Sequence, residues 1–521
     1  MAGVVKMPEK VLRKLKESIL PQLWVCFFSA LVVGLIAHLY KITNWLPNWD
    51  SLVFRYDSQN MLGLGRWFLP VVCSFSSFYD LPFLNGLMAI LFHALGGVCI
   101  CKILNIEKNI TAFLIGAVIV SFPTVTSVMM YNYVADGYSI AFFLSCLAAL
   151  YLTREKPRYI LSAVLIALSS GIYQAYITVT IMLILLKLID EIIYNNATFK
   201  AVLKKSVFML LTGIAGVAIY YGILKILLGV FSMELLDYQG INGASSMSAL
   251  NIWGSLYSIK ETFLDCFFDI SEGVNVYVVL NVIALSLTLM HYVKYIIVNK
   301  IYKNPVNILF LAVLGVLLIL GAGALAFMNA DIDYHNLMLM GYSVFYLFFI
   351  VLYERGTDKN EVHTCGKRWT VLLVGLTIIL NQVVIANVSY HKAQIAYEKS
   401  YGALMRIADR IEFTEGAEDS SRILVIGALD NSGDYSVNLT PDITGITDGY
   451  IIRADDETVG QSVLCSALND YCDKNYEFLS GDEKKEFLQK EEVKAMKEWP
   501  SVECISLIDD VIVIKLNSEG E

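Results

Sequence analysis

Residues 44–70 read NWLPNWDSLVFRYDSQNMLGLGRWFLP, and the reading of the whole chain turns on where this stretch lies. It sits between the first and second long apolar segments, so it must stand outside any hydrocarbon that those segments cross. It carries Asp50, Asp57, Arg55 and Arg66 among Trp45, Trp49, Trp67, Phe54 and Tyr56, the mixture expected at a membrane-water boundary. Carboxylates and guanidiniums this close in sequence can hold a proton acceptor and a phosphate site side by side. The competing reading is an ordinary amphipathic loop whose charges reach water along their apolar stems.

The chain around it has 521 residues, of which 56% are hydrophobic and 17% charged, and its mean hydropathy is +0.59. That composition excludes an ordinary water-soluble globule and describes a polytopic membrane protein. The net charge of −9 hides an asymmetry: residues 390–521 hold 13 Lys and Arg against 27 Asp and Glu, leaving 26 against 21 in the part before them. An acidic appended region on a mildly basic body argues against nucleic acid as a partner. The ten cysteines are scattered, without a CxxC pair or metal-ligand spacing. They read as small core residues rather than as a disulfide framework or a zinc site.

Residues 1–21 place Lys6, Lys10, Arg13, Lys14 and Lys16 before the first apolar run, which predicts a cytoplasmic amphipathic lead-in rather than a cleaved signal. Apolar runs follow at roughly 22–40, 82–103, 110–130, 134–152, 159–173, 175–193, 206–230, 276–297, 306–328, 337–353 and 369–388, about eleven spans in a body covering residues 22–388. The fifth and sixth, joined by SSGIYQAY, are short enough to form a re-entrant hairpin instead. With the N-terminus inside, the inner loops hold Lys102, Lys108, Arg154, Lys156, Arg158, Lys200, Lys204, Lys205, Lys294, Lys300, Lys303, Arg355, Lys359, Lys367 and Arg368. The outer loops hold Lys41, Arg55, Arg66 and Lys260. The bias is positive-inside throughout, and an odd count puts residues 389–521 outside.

The same assignment gathers acids on the outer face: Asp50, Asp57 and Asp80 in loop 41–81, Asp136 in the tight turn expected of YNYVADGY, Glu234, Asp237, Glu261, Asp265, Asp269 and Glu272 in loop 231–275, and Asp331 and Asp333 further on. Loop 231–275 contains NIWGSLYSIKETFLDCFFD, an amphipathic run expected to lie on the membrane surface as a lid. Beyond the last span come an amphipathic helix, the strand RILVIGAL, helices near 457–472 and 482–497, and the strand pair VECISLI and DVIVIKL around Asp509–Asp510. These predict a small α/β domain with its own core. It has no GxGxxG or P-loop signal, so it reads as a docking or acceptor-facing module.

A sugar transferred outside the cytoplasm must come from a lipid-linked donor, because nucleotide sugars are on the other side of the bilayer. Such a transfer needs a carboxylate to take the acceptor proton, cations for the departing phosphate, and polar surfaces for two sugars. Asp50 is the first choice for the base and Asp57 the second, with Asp136 orienting the acceptor or assisting. Arg66 is the first candidate for the donor phosphate, ahead of Arg55, Lys225 and His335. Tyr173 and Gln174 in SGIYQAY and Asn329, Asp331, Asp333 and His335 in MNADIDYHN are candidates for sugar hydroxyls. For Lys225 the bland alternative is snorkelling from the end of an apolar span.

Four motifs in order, WDSLVFRYDSQNMLGLGRW, YNYVADGYSIAFFLS, SSGIYQAYI and WPSVECISLIDDVIVIKL, resemble the bacterial GtrII-type glucosyltransferase family. The resemblance implies a GT-C type architecture, a mainly α transmembrane bundle using polyprenyl-phosphate-linked glucose to decorate a cell-surface polysaccharide at the inner membrane of a bacterium. It implies that Asp50 is the acid ahead of the GR element, that Gly65 and Arg66 are that element, and that Tyr173 and Gln174 are its YQ element. It also implies a functional link to a polyprenyl-phosphate glucosyltransferase and a flippase. Family members from enterobacteria carry adjacent acids in the first loop, whereas here Asp50 and Asp57 stand apart, so either remains open as the base. A divalent metal is compatible with so many acids but is not required, since Arg and Lys can stabilise a monophosphate leaving group. The alternative class, a transporter or lipid flippase, should show charges at mid-membrane and two related halves; the apolar spans are nearly free of central charge and no halves are visible.

Overall fold

In the computed structural model the described residues are 20–47, 49–53, 61–77, 79–195, 197–236, 251–270, 273–330, 332, 334–355, 361–427, 429 and 457–517. The N-terminal lead-in, Arg55, Asp57, Asp331 and Asp333 lie outside them. Helices dominate: α1 (Pro21–Thr43), α2 (Trp49–Val53), α3 (Leu69–Cys73), α4 (Pro82–Ile103), α5 (Asn109–Ser121), α6 (Pro123–Met130), α7 (Asn132–Thr153), α8 (Tyr159–Ile172), α9 (Ile177–Tyr194) and α10 (Phe199–Phe231) form the first part. After them come α11 (Ile252–Phe268), α12 (Val276–Val298), α13 (Pro305–Ala322), α14 (Ser343–Val351) and α15 (Glu361–Glu412).

Local chemistry sets many of the boundaries. Proline opens α1, α4, α6 and α13, where its missing N–H costs nothing and its fixed φ is already helical. The side chains of Asn251, Asn275 and Asn304 accept from the backbone amides of Gly254, Val278 and Asn307, capping α11, α12 and α13. Pro123 cannot donate to a continuing helix, so the single run expected at 110–130 is broken into α5 and α6.

Among the described residues, eight helices or helix pairs are long and apolar enough to cross a membrane: 21–43, 82–103, 109–130, 132–153, 199–231, 276–298, 305–322 and 364–412. The other expected runs fall on shorter or more charged pieces. Residues 159–173 give the 14-residue α8. Residues 337–353 give a 3-10 turn at Asn336–Tyr342 followed by α14, and residues 175–193 give α9 with Lys187, Asp190 and Glu191 near its end. α8 and α9 are separate helices joined by a 3-10 turn at Gln174–Tyr176.

The α5–α6 pair is apolar on every side and sits at the centre, with nearly every residue buried, as an all-round hydrophobic helix must be. α1 approaches it so closely that a Cβ on Gly116 would collide with the Cys26 carbonyl oxygen, the small-residue contact that lets membrane helices pack backbone to backbone. By contrast α10, α12 and α13 expose apolar stripes including Leu210, Ile226, Leu289, Leu309 and Val316. α11 docks through Ser255, whose hydroxyl donates to the Ala326 carbonyl at 2.6 Å, and through the Phe267 carbonyl, which accepts from Asn281 at 3.1 Å. Its outer face leaves Trp253 and Tyr257 exposed.

α15 runs for 52 residues without interruption, roughly 78 Å at the helical rise, so the expected last span and the amphipathic segment after it are one rod. The part of it up to Tyr390 packs on the bundle, where Tyr390 donates to His38 Nδ1 at 2.7 Å and Ser121 donates to Gln382 Oε1 at 2.9 Å. The second half enters a small α/β domain made of β1 (Arg422–Ile426), α16 (Glu457–Cys472), β2 (Glu477–Phe478), α17 (Gly481–Leu488), α18 (Glu491–Ala495), β3 (Ile505–Ile508) and β4 (Val511–Lys515). The sheet order is β2-β1-β4-β3, with β1 parallel to β2 and β4, and β3 antiparallel to β4. The β3–β4 turn uses Asp509 and Asp510, both at positive φ, the backbone shape that a two-residue hairpin turn demands. The helix expected at 482–497 is interrupted between α17 and α18. All ten cysteines are free thiols.

Candidate active site

The loop before α3 turns back on itself because Gly65 takes the left-handed conformation at φ 74° after a 3-10 turn at Leu62–Leu64. The amides of Gly65 and Arg66 donate to the carbonyls of Leu62 and Met61 at 2.9 and 3.1 Å. The amide of Phe68 then donates to the Gly171 carbonyl at 2.7 Å, fastening the loop to the end of α8. The Gln174 amide nitrogen donates to the Leu64 carbonyl at 2.9 Å and to the Tyr220 hydroxyl at 3.0 Å. The GR and YQ elements, far apart in sequence, are therefore one structural unit.

Arg66 is the hub of that unit. Its guanidinium donates to the Tyr138 hydroxyl at 3.0 Å and lies 4.7 Å from the centre of the Tyr173 ring. Tyr138 and Tyr173 are themselves stacked, 4.6 Å apart and 14° from parallel. A guanidinium on aromatic faces keeps its charge while shedding water, which suits it to binding an anionic group. Tyr133 on α7 is buried, and beside that burial its hydroxyl feels the opposite charges of the Asp50 carboxylate on α2 and the Arg66 guanidinium.

The N-terminal end of α7 is held by a polar network. Asp80 accepts from the Trp45 indole at 3.0 Å and from the Asn132 amide at 2.7 Å, and Asn85 donates to the Asn132 carbonyl at 3.0 Å. Next to it the Tyr131 hydroxyl meets His335 Nε2 at 3.4 Å. The Leu337 amide donates to His335 Nδ1, which makes Nε2 the protonated nitrogen of the neutral ring. His335 thus stands beside the start of α7 as a cap of the Asn336–Tyr342 turn.

Other candidates are placed differently. Asp136 is on helix α7 rather than in a tight turn; it is fully buried, accepts from the Gly137 amide at 2.9 Å, and has Cys73 Sγ 3.9 Å away and Ser76 close by. Two positions along a helix is about 200° around it, so Asp136 and Tyr138 face opposite ways. Lys225 is exposed on α10 with its ammonium 5.3 Å from the Tyr221 ring centre, whereas Tyr220, Leu224 and Leu228 form the buried face of that helix. Among the described residues no group of three or more His, Cys, Asp or Glu side chains is gathered in metal-binding fashion.

Tyr133, Tyr138 and Tyr220 were missed by the sequence reading. The first two lie in YNYVADGYSIAFFLS, whose one charged residue is Asp136. Their spacing places neither on an obvious stripe, and Tyr220 is one tyrosine among thirty.

Neither the comparison with curated proteins nor that with solved structures gives a match. The family model described as Glucosyl transferase GtrII matches residues 39–354. That match runs from the end of α1 to the end of α14 and contains Asp50, Gly65, Arg66, Tyr138, Tyr173, Gln174 and Tyr220. With more than half of the chain matched, this protein belongs to the GtrII glucosyltransferase family.

Proposed function

We propose that this membrane glycosyltransferase moves a glucosyl or related hexosyl unit from a polyprenyl-phosphate-linked donor to a cell-surface polysaccharide, on the outer side of a bacterial cytoplasmic membrane. The observation that carries the reading is that Arg66 is held against Tyr138 and Tyr173 on a loop tied down by Gln174, within a chain of this family. A GT-C type bundle of about eleven spans, with an inward N-terminus and the α/β domain outside, fits the charge bias of its loops.

In this mechanism the Asp50 carboxylate takes the proton of an acceptor hydroxyl. The hydroxyl oxygen attacks the anomeric carbon, the bond from that carbon to the phosphate oxygen breaks, and the electron pair leaves with polyprenyl phosphate. A single displacement inverts the anomeric centre. Arg66 stabilises the leaving phosphate from its place on Tyr173, while Gln174 and Tyr220 hold the loop that carries it. His335, beside Tyr131, stays a weaker candidate for the donor phosphate. Asp57, Arg55, Asp331 and Asp333 remain candidates in this scheme for the second carboxylate, a further cation and sugar contacts. Lys225 is assigned to the membrane boundary and Asp136 to the buried support of α3. The reaction as proposed needs no metal, although a divalent ion is compatible with it, and it draws on a polyprenyl-phosphate glucosyltransferase and a flippase to supply donor.

The test is transfer of radiolabel from polyprenyl-phosphate-[14C]glucose to purified surface polysaccharide by the full-length protein in proteoliposomes, with and without EDTA. Label in polysaccharide with an inverted linkage supports the reading. Movement of the labelled lipid across the bilayer without transfer would replace it with a flippase.

A further inference from the structure

The core of the α/β domain is completed by a side chain from the first loop. Leu52, on α2, is buried in the same apolar cluster as Leu404 and Ile407 of α15, Val425 of β1, and Leu464 and Leu468 of α16. α2 packs directly on α16, and Ser51 beside Leu52 is buried as well. A second tie lies just before α2: the Trp45 ring stacks on Tyr471 of α16, 5.9 Å between centres and 28° from parallel, while its indole nitrogen donates to Asp80 on the bundle side. Tyr471 is in turn braced edge-on by Tyr401 of α15.

Asp50 and Leu52 are two positions apart, about 200° around a helical axis. The domain therefore grips the face of α2 opposite the carboxylate. A helix of one and a half turns has little stability of its own, so its orientation must come from what it packs against.

We infer that Leu52 is a positioning residue: the α/β domain uses it, with Trp45, to hold α2 so that Asp50 meets the acceptor hydroxyl, and the domain is thereby part of the catalytic apparatus rather than a separate docking module. This rests on the reading of Asp50 as the base. The coupling acts through orientation, so it governs the chemical step more than donor binding, which depends on Arg66 and its tyrosines.

The experiment uses full-length Leu52→Ala, Leu52→Met and Asp50→Asn proteins in proteoliposomes with polyprenyl-phosphate-[14C]glucose. Leu52→Ala should lower kcat at least tenfold with the KM for the lipid donor unchanged within twofold, and Leu52→Met, which refills the space, should recover at least half of kcat. Full kcat in Leu52→Ala alongside an inactive Asp50→Asn overturns the inference and leaves the base intact. An active Asp50→Asn overturns the reading beneath it. A parallel measurement does not depend on activity or on tolerance of a cavity. A Ser51→Cys thiol, mapped by mass spectrometry after treatment with an impermeant maleimide, should be protected in the otherwise native chain and become reactive with Leu52→Ala. Ready labelling in the native background would show that the domain does not cover α2 and would also overturn the inference.

Discussion

Gly65 and the Tyr220 hydroxyl pack so closely that a Cβ on the glycine would stand 2.5 Å from the oxygen and 2.7 Å from Gln174 Nε2. The glycine is needed twice over, for its positive φ and for the space that the Gln174–Tyr220 pair occupies. Gly65→Ala should therefore displace Arg66 and reduce transfer at least tenfold, with membrane insertion preserved. Quantifying radiolabel transfer against the amount of folded protein checks this, and activity within twofold of the parent would show that the loop is not held as described.

Arg66 should not tolerate replacement by lysine. An ammonium keeps the charge but loses the planar fork that donates to Tyr138 while covering Tyr173. Arg66→Lys is expected to lower kcat/KM by 10- to 100-fold and Arg66→Ala by more. Tyr138→Phe removes a hydrogen bond to a charged group, about 1.5 kcal/mol or roughly tenfold. Tyr173→Phe keeps the aromatic face and should cost less than threefold. Steady-state kinetics with varied lipid donor separates these variants.

Asp50→Asn is isosteric and should abolish transfer without reducing the amount of protein in the membrane. Asp57→Asn is expected to retain at least a tenth of the activity. The reverse order would move the base to Asp57, and loss in both would make them a pair. The measurement is single-turnover transfer with donor prebound, which reports the chemical step alone.

Cysteine chemistry tests the proposed sidedness. Native Cys365 is exposed near the start of α15, and Val502 is exposed on the α/β domain. An impermeant maleimide applied to intact cells should label Val502→Cys at once and Cys365 only after permeabilisation. Cys465 serves as an internal control, since burial pushes its thiol up to about 11 and the thiolate is the reactive form. It should stay unlabelled from pH 7 to 9 while the domain is folded and react on denaturation. Labelling of Cys365 from outside in intact cells would invert the topology.

Hydropathy periods and the positive charge of alternate loops made the membrane class, most helix positions and the α/β domain legible, because burial in lipid constrains composition over whole segments. Asp50, Arg66 and the YQ element could be singled out because charged or paired polar residues stand out against apolar sequence. Tyr133, Tyr138 and Tyr220 could not, since a tyrosine at a site and a tyrosine in a core look the same until something is seen to face it. The break at Pro123 was likewise written in the sequence but outweighed by continuous hydrophobicity.

The amino-acid sequence by itself determined that the chain forms apolar helices with an acidic α/β appendage, and which short loop holds its charges, because those properties are sums over local residues. Tertiary structure alone decided that Arg66 lies on Tyr173, that Asp136 turns away beneath α3, and that Leu52 belongs to a core built from residues hundreds of positions later. Such facts depend on which helix faces touch. That is set by the joint packing of every element and by no single stretch.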